Sequence, residues 1–386
     1  MALLVSYRRY MGALVMGILT LLLLSNLIPD PLGFHTWRGL PREDAGFFQR
    51  FHGNLRSFGF YLQDNFGFRA SMPVVRRTLR DAVWSPDTTT LYIGPNGQMF
   101  WSGERAPEQT AGQLYRVHAV ERFVALMKAM QDRLPHTKLV VAIPPNAQTV
   151  DVNDLPTWYK YVRPRPTEYA LMLADLQKDG ITAVDLRAVL KAAPGVRHYL
   201  PNDTHWTHMS AAIAFNATMV AAGHPDWQVD LSKAVGPMEP IPQGDLARLL
   251  RIKTPLADEN QRLNFDPAWV KRPHPALRLK TESRQFTPYA IRFRESGPRV
   301  LVVGDSYTAT QWPGLFGFTP VAEVGWMHFS RFSSGACDFD FADIRDFNPD
   351  VLIIARTERL FPCLKNKWPV GNQRIVDLCA DDGPCE

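Results

Sequence analysis

Two short motifs, well separated in the chain, carry residue types that act together in nucleophilic catalysis. Residues 203–206 have the sequence DTHW, and residues 304–307 have the sequence GDSY. In extended backbone, side chains two positions apart point to the same side, so Asp203 can reach Nδ1 of His205 and leave Nε2 free as a base. A serine hydroxyl beside such a base is the nucleophile of a Ser–His–Asp system. We therefore predict Ser306 as nucleophile, His205 as general base and Asp203 as the residue that orients the imidazole.

The context of the second motif favours a site at the edge of a sheet. Residues 300–303 have the sequence VLVV, typical of a buried strand, so Ser306 follows the carboxyl end of that strand, where ligands bind in open α/β sheets. Gly304 permits a tight turn, and N–H groups near the serine can stabilise an oxyanion. The candidates for the pocket and the oxyanion site are Gly304, Asp305, Tyr307 and Trp206.

Each motif alone also fits ordinary structure. A Gly-Asp-Ser turn needs no function, and Asp203 or Thr204 can cap the helix expected to follow. Asp203, His205 and His208 offer a carboxylate and two imidazoles, but no further ligand stands at a familiar spacing. We predict no metal and no cofactor.

Apolar patterns around the motifs predict alternating strands and helices. We predict a hairpin over 91–101; helices over 114–135, 166–178 and 208–222; and strands over 138–143, 181–185, 300–303 and 351–355. Such alternation is typical of an α/β fold, with a parallel sheet flanked by helices. Residues 223–298, rich in Pro and basic residues, are predicted to be an irregular insertion.

The N-terminus has the properties of a membrane anchor. Residues 10–28 carry no charge and are long enough to cross a hydrocarbon core of ~30 Å as a helix. Arg8 and Arg9 precede them, which places residues 1–9 in the cytoplasm. Since no A-x-A-like site follows, an uncleaved transmembrane signal anchor is favoured over a cleaved signal peptide. Residues 31–86 are then a juxtamembrane segment and 87–386 the catalytic domain.

The positions of the cysteines indicate the cellular compartment, and the distribution of charge argues against one kind of partner. Four cysteines near the C-terminus predict two disulfides in an oxidising compartment, with the connectivity open and four reduced thiols as the alternative: Cys337, Cys363, Cys379 and Cys385. The net charge of +5 comes with no concentrated basic stripe or reader motif, which argues against nucleic acid.

The Asp-x-His-Trp motif upstream of Gly-Asp-Ser resembles the AlgJ/AlgX-type polysaccharide (alginate) O-acetyltransferases. In that family the Asp-His motif precedes the serine, the reverse of ordinary SGNH hydrolases. Further similar segments are 64–69, 94–100, 142–147 and 348–359. Asn146 replaces a usual lysine, and His208 stands where proline is common. No carbohydrate-binding module follows these segments, which favours the AlgJ-like arrangement.

The resemblance implies an SGNH hydrolase-like (flavodoxin-like) fold behind one transmembrane helix, anchored in the inner membrane with the catalytic domain in the periplasm. It implies that Ser306 takes an acetyl group from a multi-pass MBOAT-type membrane partner and passes it to a polysaccharide acceptor. The anchor helix either docks on that partner or only tethers the enzyme. An acetylesterase with the same triad and a non-catalytic subunit of an exopolysaccharide acetylation complex are the alternatives.

A scatter of basic residues within 268–299 would attract an acidic polymer such as alginate, although a solvated face is the more common explanation. The residues are Lys271, Arg272, Arg278, Lys280, Arg284, Arg292, Arg294 and Arg299.

Overall fold

The computed structural model of the chain describes residues 10–20, scattered residues between 46 and 75, 91–156, 166–249, 258–278, 286–329, 337 and 339–362. Residues 10–20 are helical, while 21–28 of the predicted anchor and the segment 64–69 lie outside the described residues. None of the helices described is both long and apolar enough to cross a bilayer. The anchor and the borders of the predicted segments therefore stay predictions.

Ten strands form three sheets in the described part of the chain. The strands are β1 Leu91–Ile93, β2 Met99–Trp101, β3 Lys138–Ala142, β4 Thr182–Val184, β5 Val235–Ile241, β6 Asp258–Leu263, β7 Tyr289–Arg292, β8 Arg299–Gly304, β9 Glu323–His328 and β10 Val351–Ala355. The central sheet has the order β4-β3-β10-β8-β9-β7, and only β7 runs antiparallel to its neighbour. β1 and β2 form the predicted hairpin, and β5 and β6 form a second antiparallel pair. The predicted parallel sheet is therefore mixed but mostly parallel.

Helices cover both faces of the central sheet. They are α1 Ala106–Thr110, α2 Val117–Arg133, α3 Ala147–Val150, α4 Glu168–Lys178, α5 Leu186–Lys191, α6 His208–Ala221, α7 Leu231–Ala234, α8 Asp245–Leu249, α9 Ser306–Ala309, α10 Trp312–Leu315 and α11 Phe341–Phe347. The helices predicted over 114–135, 166–178 and 208–222 are confirmed as α2, α4 and α6, with slightly shorter bounds.

The two cores follow from the alternation of side chains along buried strands. In β10, Val351 and Ile353 pack into the core under α6 and α10, whereas Leu352 and Ile354 pack into the core under α2, α4 and α11. Because both faces are covered, the strand is apolar at every position, which is why its sequence is a continuous run. The same reason explains why β3 and β8 were predictable. β9 is also buried but was not predicted, since Glu323, Gly325 and His328 interrupt its apolar pattern.

The prediction that residues 223–298 are irregular is wrong. They contain α7, β5, α8, β6 and β7. β5 holds Pro237 and Pro240, and β6 has the polar sequence DENQRL, so neither shows the apolar pattern of a buried strand. A two-stranded ribbon outside the main sheet consists of edge strands, which tolerate proline and polar residues.

The cysteine prediction is only partly within the described residues. Cys337 is disulfide-bonded in the structure. The other three cysteines lie outside the described residues, so the pairing stays a prediction.

The central strand β10 should be sensitive to loss of apolar volume. Leu352 is fully buried, so Leu352→Ala should lower the free energy of unfolding by about 3–5 kcal/mol, as measured by denaturant titration. Leu249→Ala is the matched control, because Leu249 on α8 is 47% exposed. Equal losses for both variants would contradict the assignment of β10 to the core.

Candidate active site

Ser306 is placed by the junction between β8 and α9. β8 ends at Gly304, Asp305 caps the short helix, and Ser306 is its first residue. A Cβ on Gly304 would lie 2.3 Å from Oγ1 of Thr308, so glycine is required by close packing and not by a left-handed turn. The predicted position of the serine at the carboxyl end of a parallel strand is confirmed.

Asp305 fixes this junction to the neighbouring strand. One carboxylate oxygen accepts the N–H of Tyr307 at 3.0 Å, and the other accepts the N–H and hydroxyl of Thr357 at 2.8 and 2.5 Å. Thr357 follows β10, so the carboxyl ends of two adjacent strands are joined. Asp305 is thus engaged in holding the backbone, while the N–H of Ser306 has no acceptor among the described residues.

The DTHW motif forms a tight turn, not the extended strand that we expected. The N–H of Leu200 donates to His205 at 3.2 Å, and that of Thr207 donates to His198 at 2.9 Å. Within the turn, Oδ1 of Asp203 accepts both the backbone N–H of His205, at 3.0 Å, and its Nδ1–H, at 2.6 Å. The two side chains meet because the carboxylate bonds locally to the backbone two residues on. Neither Asp203 nor Thr204 caps α6, because Thr207 does so.

The structure brings the three predicted residues into one hydrogen-bonded chain. With Nδ1–H of His205 donating to Asp203, Nε2 accepts the Ser306 hydroxyl at 2.9 Å. Burial would raise the pKa of Asp203, but the hydrogen bond and charge of His205 lower it to about 2. Burial would lower the pKa of His205, but Asp203, with Asp245 farther away, raises it above its ordinary value. The arrangement can move a proton from a serine hydroxyl to a well-stabilised imidazole.

Two aromatic residues support the turn. The indole N–H of Trp206 donates to the carbonyl of Tyr307 at 3.0 Å, and Trp206 is fully buried. The Tyr307 hydroxyl donates to the carbonyl of Thr204, and its ring lies 5.0 Å from that of His205. Each motif thus holds the other, so Trp206 joins the two motifs and does not line the cleft described next.

A small cleft with a volume of about 10 Å³ lies beside Asp203 and Tyr307. Its lining residues are Met99, Trp101, Ala106, Asn146, Ala147, Gln148, Asp203, Thr204, Leu246, Tyr307 and Arg359. Arg359 contributes a cation, since its Nη1 donates to the Tyr307 hydroxyl at 3.3 Å and its side chain is 12% exposed. Of the four predicted pocket candidates, only Tyr307 lines this cleft.

Sequence reasoning missed Asp245, whose Oδ2 lies 3.7 Å from Nδ1 of His205. An acidic residue before a short apolar stretch signals a helix start, and α8 does begin there. That signal does not show which residues from other parts of the sequence lie beside Asp245 in the fold.

The three residues weighed as metal ligands, Asp203, His205 and His208, do not form one cluster among the described residues, where Asp245 and not His208 lies beside the other two. Asp203, His205 and Asp245 place ligand-type atoms within 4.8 Å of one another, but these atoms hydrogen-bond to each other and to Thr204. The ring of His208 contacts the carbonyl of Gln261 instead.

Comparison of the sequence with known protein families identifies the family of this chain. A family model described as the SGNH hydrolase-like domain of acetyltransferase AlgX matches residues 91–319, more than half of the chain. The chain belongs to this family, and the predicted AlgJ/AlgX-type resemblance is confirmed. No curated protein sequence matches the chain.

The chain is also similar to several solved structures, among them three proteins from Pseudomonas and Bacillus species. The O-acetyltransferase domain of Pseudomonas putida AlgJ is 20% identical, with 75% of this chain and 98% of that chain covered and a TM-score of 0.47. Bacillus cereus PatB1 with a sulfonyl adduct is 10% identical, with 71% and 97% covered and a TM-score of 0.49. Pseudomonas aeruginosa AlgX is 14% identical, with 75% and 65% covered and a TM-score of 0.44.

The raised pKa of His205 has a measurable consequence. An NMR titration should find the His205 imidazole with a pKa above 6.5, and Asp203→Asn should lower it because a charge and its hydrogen bond are lost. Since the folded pKa exceeds the unfolded value, protonated His205 stabilises the fold below pH 6.5, and this contribution is lost as pH rises through the folded pKa. Asp132→Asn, on the exposed face of α2, is the control. A His205 that titrates below 6.5 in the wild type would overturn this electrostatic assignment.

Proposed function

We propose that the protein is a serine O-acetyltransferase that acetylates hydroxyl groups of an exported polysaccharide. The observation that carries the proposal is the 2.9 Å contact between the Ser306 hydroxyl and Nε2 of His205, with Nδ1 of the same ring 2.6 Å from Asp203. Family membership favours acetyl as the transferred group.

In the first half of the reaction, Oγ of Ser306 attacks the carbonyl carbon of an acetyl donor while Nε2 of His205 takes the hydroxyl proton. Asp203 stabilises the imidazolium, and the N–H of Ser306 faces the developing oxyanion. His205 returns the proton to the leaving group, which departs and leaves acetyl-Ser306. In the second half, Nε2 removes the proton of a sugar hydroxyl, the sugar oxygen attacks the acetyl carbon, and Oγ of Ser306 regains its proton.

The charge of Arg359 supports an acceptor that carries a negative charge. The guanidinium of Arg359 makes one hydrogen bond to the described residues, to Tyr307, and its Nε lies 3.7 Å from the partly exposed Glu104. Several donors therefore remain for a carboxylate, which guanidinium binds in a bidentate manner. Arg278, Arg292 and Arg299 of the predicted basic scatter also pair with acidic residues of the protein itself, but unlike Arg359 they do not line the cleft. We place the anionic group of the polymer at Arg359.

The anchor, partner and compartment complete the proposal. An uncharged segment at 10–28 with Arg8 and Arg9 before it supports an inner-membrane anchor and a periplasmic catalytic domain. An acetyl donor made in the cytosol must then cross the membrane, and an MBOAT-type membrane protein is the partner that the family resemblance suggests.

Direct trapping of the intermediate tests the nucleophile. The full chain incubated with a small activated acetyl ester should gain the mass of one acetyl group on Ser306, whereas Ser306→Ala should gain none. Ester turnover should fall about 10³-fold or more in Ser306→Ala and in His205→Ala, and the double variant should lose little more. Ser232→Ala, at an exposed position on α7, is the matched control and should be acetylated like the wild type.

The same assay separates the alternatives. Acetyl transfer to added oligosaccharide supports the transferase, while release to water alone in its presence would favour the esterase. No acetylation and no ester turnover by the wild type would sink the catalytic proposal and favour a non-catalytic subunit.

Arg359 tests the nature of the acceptor. Arg359→Gln should lower the kcat/KM for acetyl transfer to a uronic-acid oligosaccharide about 10- to 100-fold, because a bidentate charge-assisted contact is lost. Turnover of the small neutral ester should fall much less. Arg345→Gln, at an exposed position on α11, is the control. An equal loss with neutral and anionic acceptors would exclude a role for Arg359 in recognising charge.

A further inference from the structure

The segment that carries Asp245 packs directly against the catalytic turn. The N–H of Gly244 donates to Oδ1 of Asn202 at 2.8 Å, and the N–H of Ala247 donates to the Asn202 carbonyl at 3.2 Å. A Cβ on Gly244 would lie 2.2 Å from that carbonyl oxygen, so no larger residue fits without a shift. Thus the start of α8 and the turn that holds His205 are in tight backbone contact.

Asp245 and the catalytic turn exchange hydrogen bonds in both directions. Oδ1 and Oδ2 of Asp245 accept the N–H and the hydroxyl of Thr204 at 2.8 and 2.6 Å. In return, the N–H of Asp245 donates to Oδ2 of Asp203 at 2.9 Å. The oxygen of Asp203 that does not contact His205 is therefore satisfied, and the carboxylate is held in one orientation.

Asp245 also places a second negative charge on the Nδ1 side of the imidazole. Its Oδ2 lies 3.7 Å from Nδ1 of His205, too far for a hydrogen bond but close enough for electrostatic attraction. The other groups near the ring are Asp203, Thr204, Tyr307, Arg359 and Ser306. Of these, only Arg359 carries a positive charge, so Asp245 adds to the effect of Asp203.

We propose that Asp245 is a positioning residue for the acyl-transfer reaction: its backbone N–H holds the Asp203 carboxylate, while its own carboxylate holds Thr204 and helps to stabilise the His205 imidazolium. This inference rests on the proposed function for its effect on rate, but its effect on His205 is present in the resting protein. Since the Asp245 side chain is 33% exposed, solvent screens its charge and the effect is smaller than that of Asp203.

Asp245→Asn separates charge from shape, because the amide oxygen can still accept from the backbone N–H of Thr204. We expect the pKa of His205, followed by NMR, to fall by about half a unit to one unit. The acid limb of the kcat/KM profile for a small acetyl ester should move to lower pH by the same amount. The plateau rate should fall about threefold to tenfold, far less than in Asp203→Asn.

The controls identify what an altered profile means. Asp226→Asn removes an exposed charge elsewhere and should leave the pKa of His205 unchanged. Asp245→Glu keeps the charge and should retain the wild-type acid limb even if its rate falls. An unchanged pKa of His205 in Asp245→Asn would overturn the proposal, and so would a loss of thermal stability with no change in that pKa.

The two proposals can fail separately. If the wild type shows no acetylation of Ser306 but Asp245→Asn still lowers the pKa of His205, the electrostatic role of Asp245 stands and the transferase proposal fails. If acetylation occurs and the pKa of His205 does not respond, Asp245 has no such role.

Discussion

The candidate active site depends on one short hydrogen bond between residues that lie far apart in the sequence. The hydroxyl of Ser306 and Nε2 of His205 must stay within hydrogen-bond distance, 2.9 Å, although 101 positions separate the two residues. Displacement by about 1 Å can cost a reaction of this kind a hundredfold. Ser306 directly follows a central strand and is fixed by the sheet. His205 lies on a turn outside the central sheet, so the surrounding contacts are needed mainly to restrain that turn.

A short segment after β10 serves both sides of the site. Thr357 binds the Asp305 carboxylate beside the nucleophile. Glu358 is fully buried and accepts the N–H of Asn146 at 2.7 Å. This hydrogen bond joins the segment after β3 to the segment after β10. Burial raises the pKa of Glu358, and the hydrogen bonds that it accepts oppose that effect. Arg359 then points into the cleft. Thr357, Glu358 and Arg359 therefore contact, in turn, the residue next to the nucleophile, the segment after β3 and the cleft. A substitution at any of the three would alter the surroundings of Ser306.

The sequence predicted those features that depend on local pattern. Residues of β8 and β10 are apolar at each position because both faces of the sheet are covered, and the predicted strands matched. The residues of the DTHW motif were identified from their spacing, although their contact arises from a turn and not from extended backbone. The ribbon of β5 and β6 was missed because edge strands do not need an apolar run. Asp245 was missed for a different reason: its importance comes entirely from tertiary contact with Thr204 and Asp203, and no local pattern encodes that contact.

The charges around His205 have to serve two protonation states. Before proton transfer the imidazole must be neutral, which burial and the positive charge of Arg359 favour. After transfer the imidazolium must be stable, which Asp203 and Asp245 favour. Without Arg359 the carboxylates would raise the pKa of the imidazole further, and without the carboxylates Arg359 and burial would lower it. A general base works best when its pKa lies near the operating pH. Opposing charges around one imidazole adjust its pKa in both directions, which is a physical reason for Asp203, Asp245 and Arg359 to surround His205.

Arg359 can then bind an anionic acceptor and moderate the base with the same guanidinium. An acceptor carboxylate that neutralises this guanidinium would raise the basicity of His205 at the moment when the sugar hydroxyl must lose its proton.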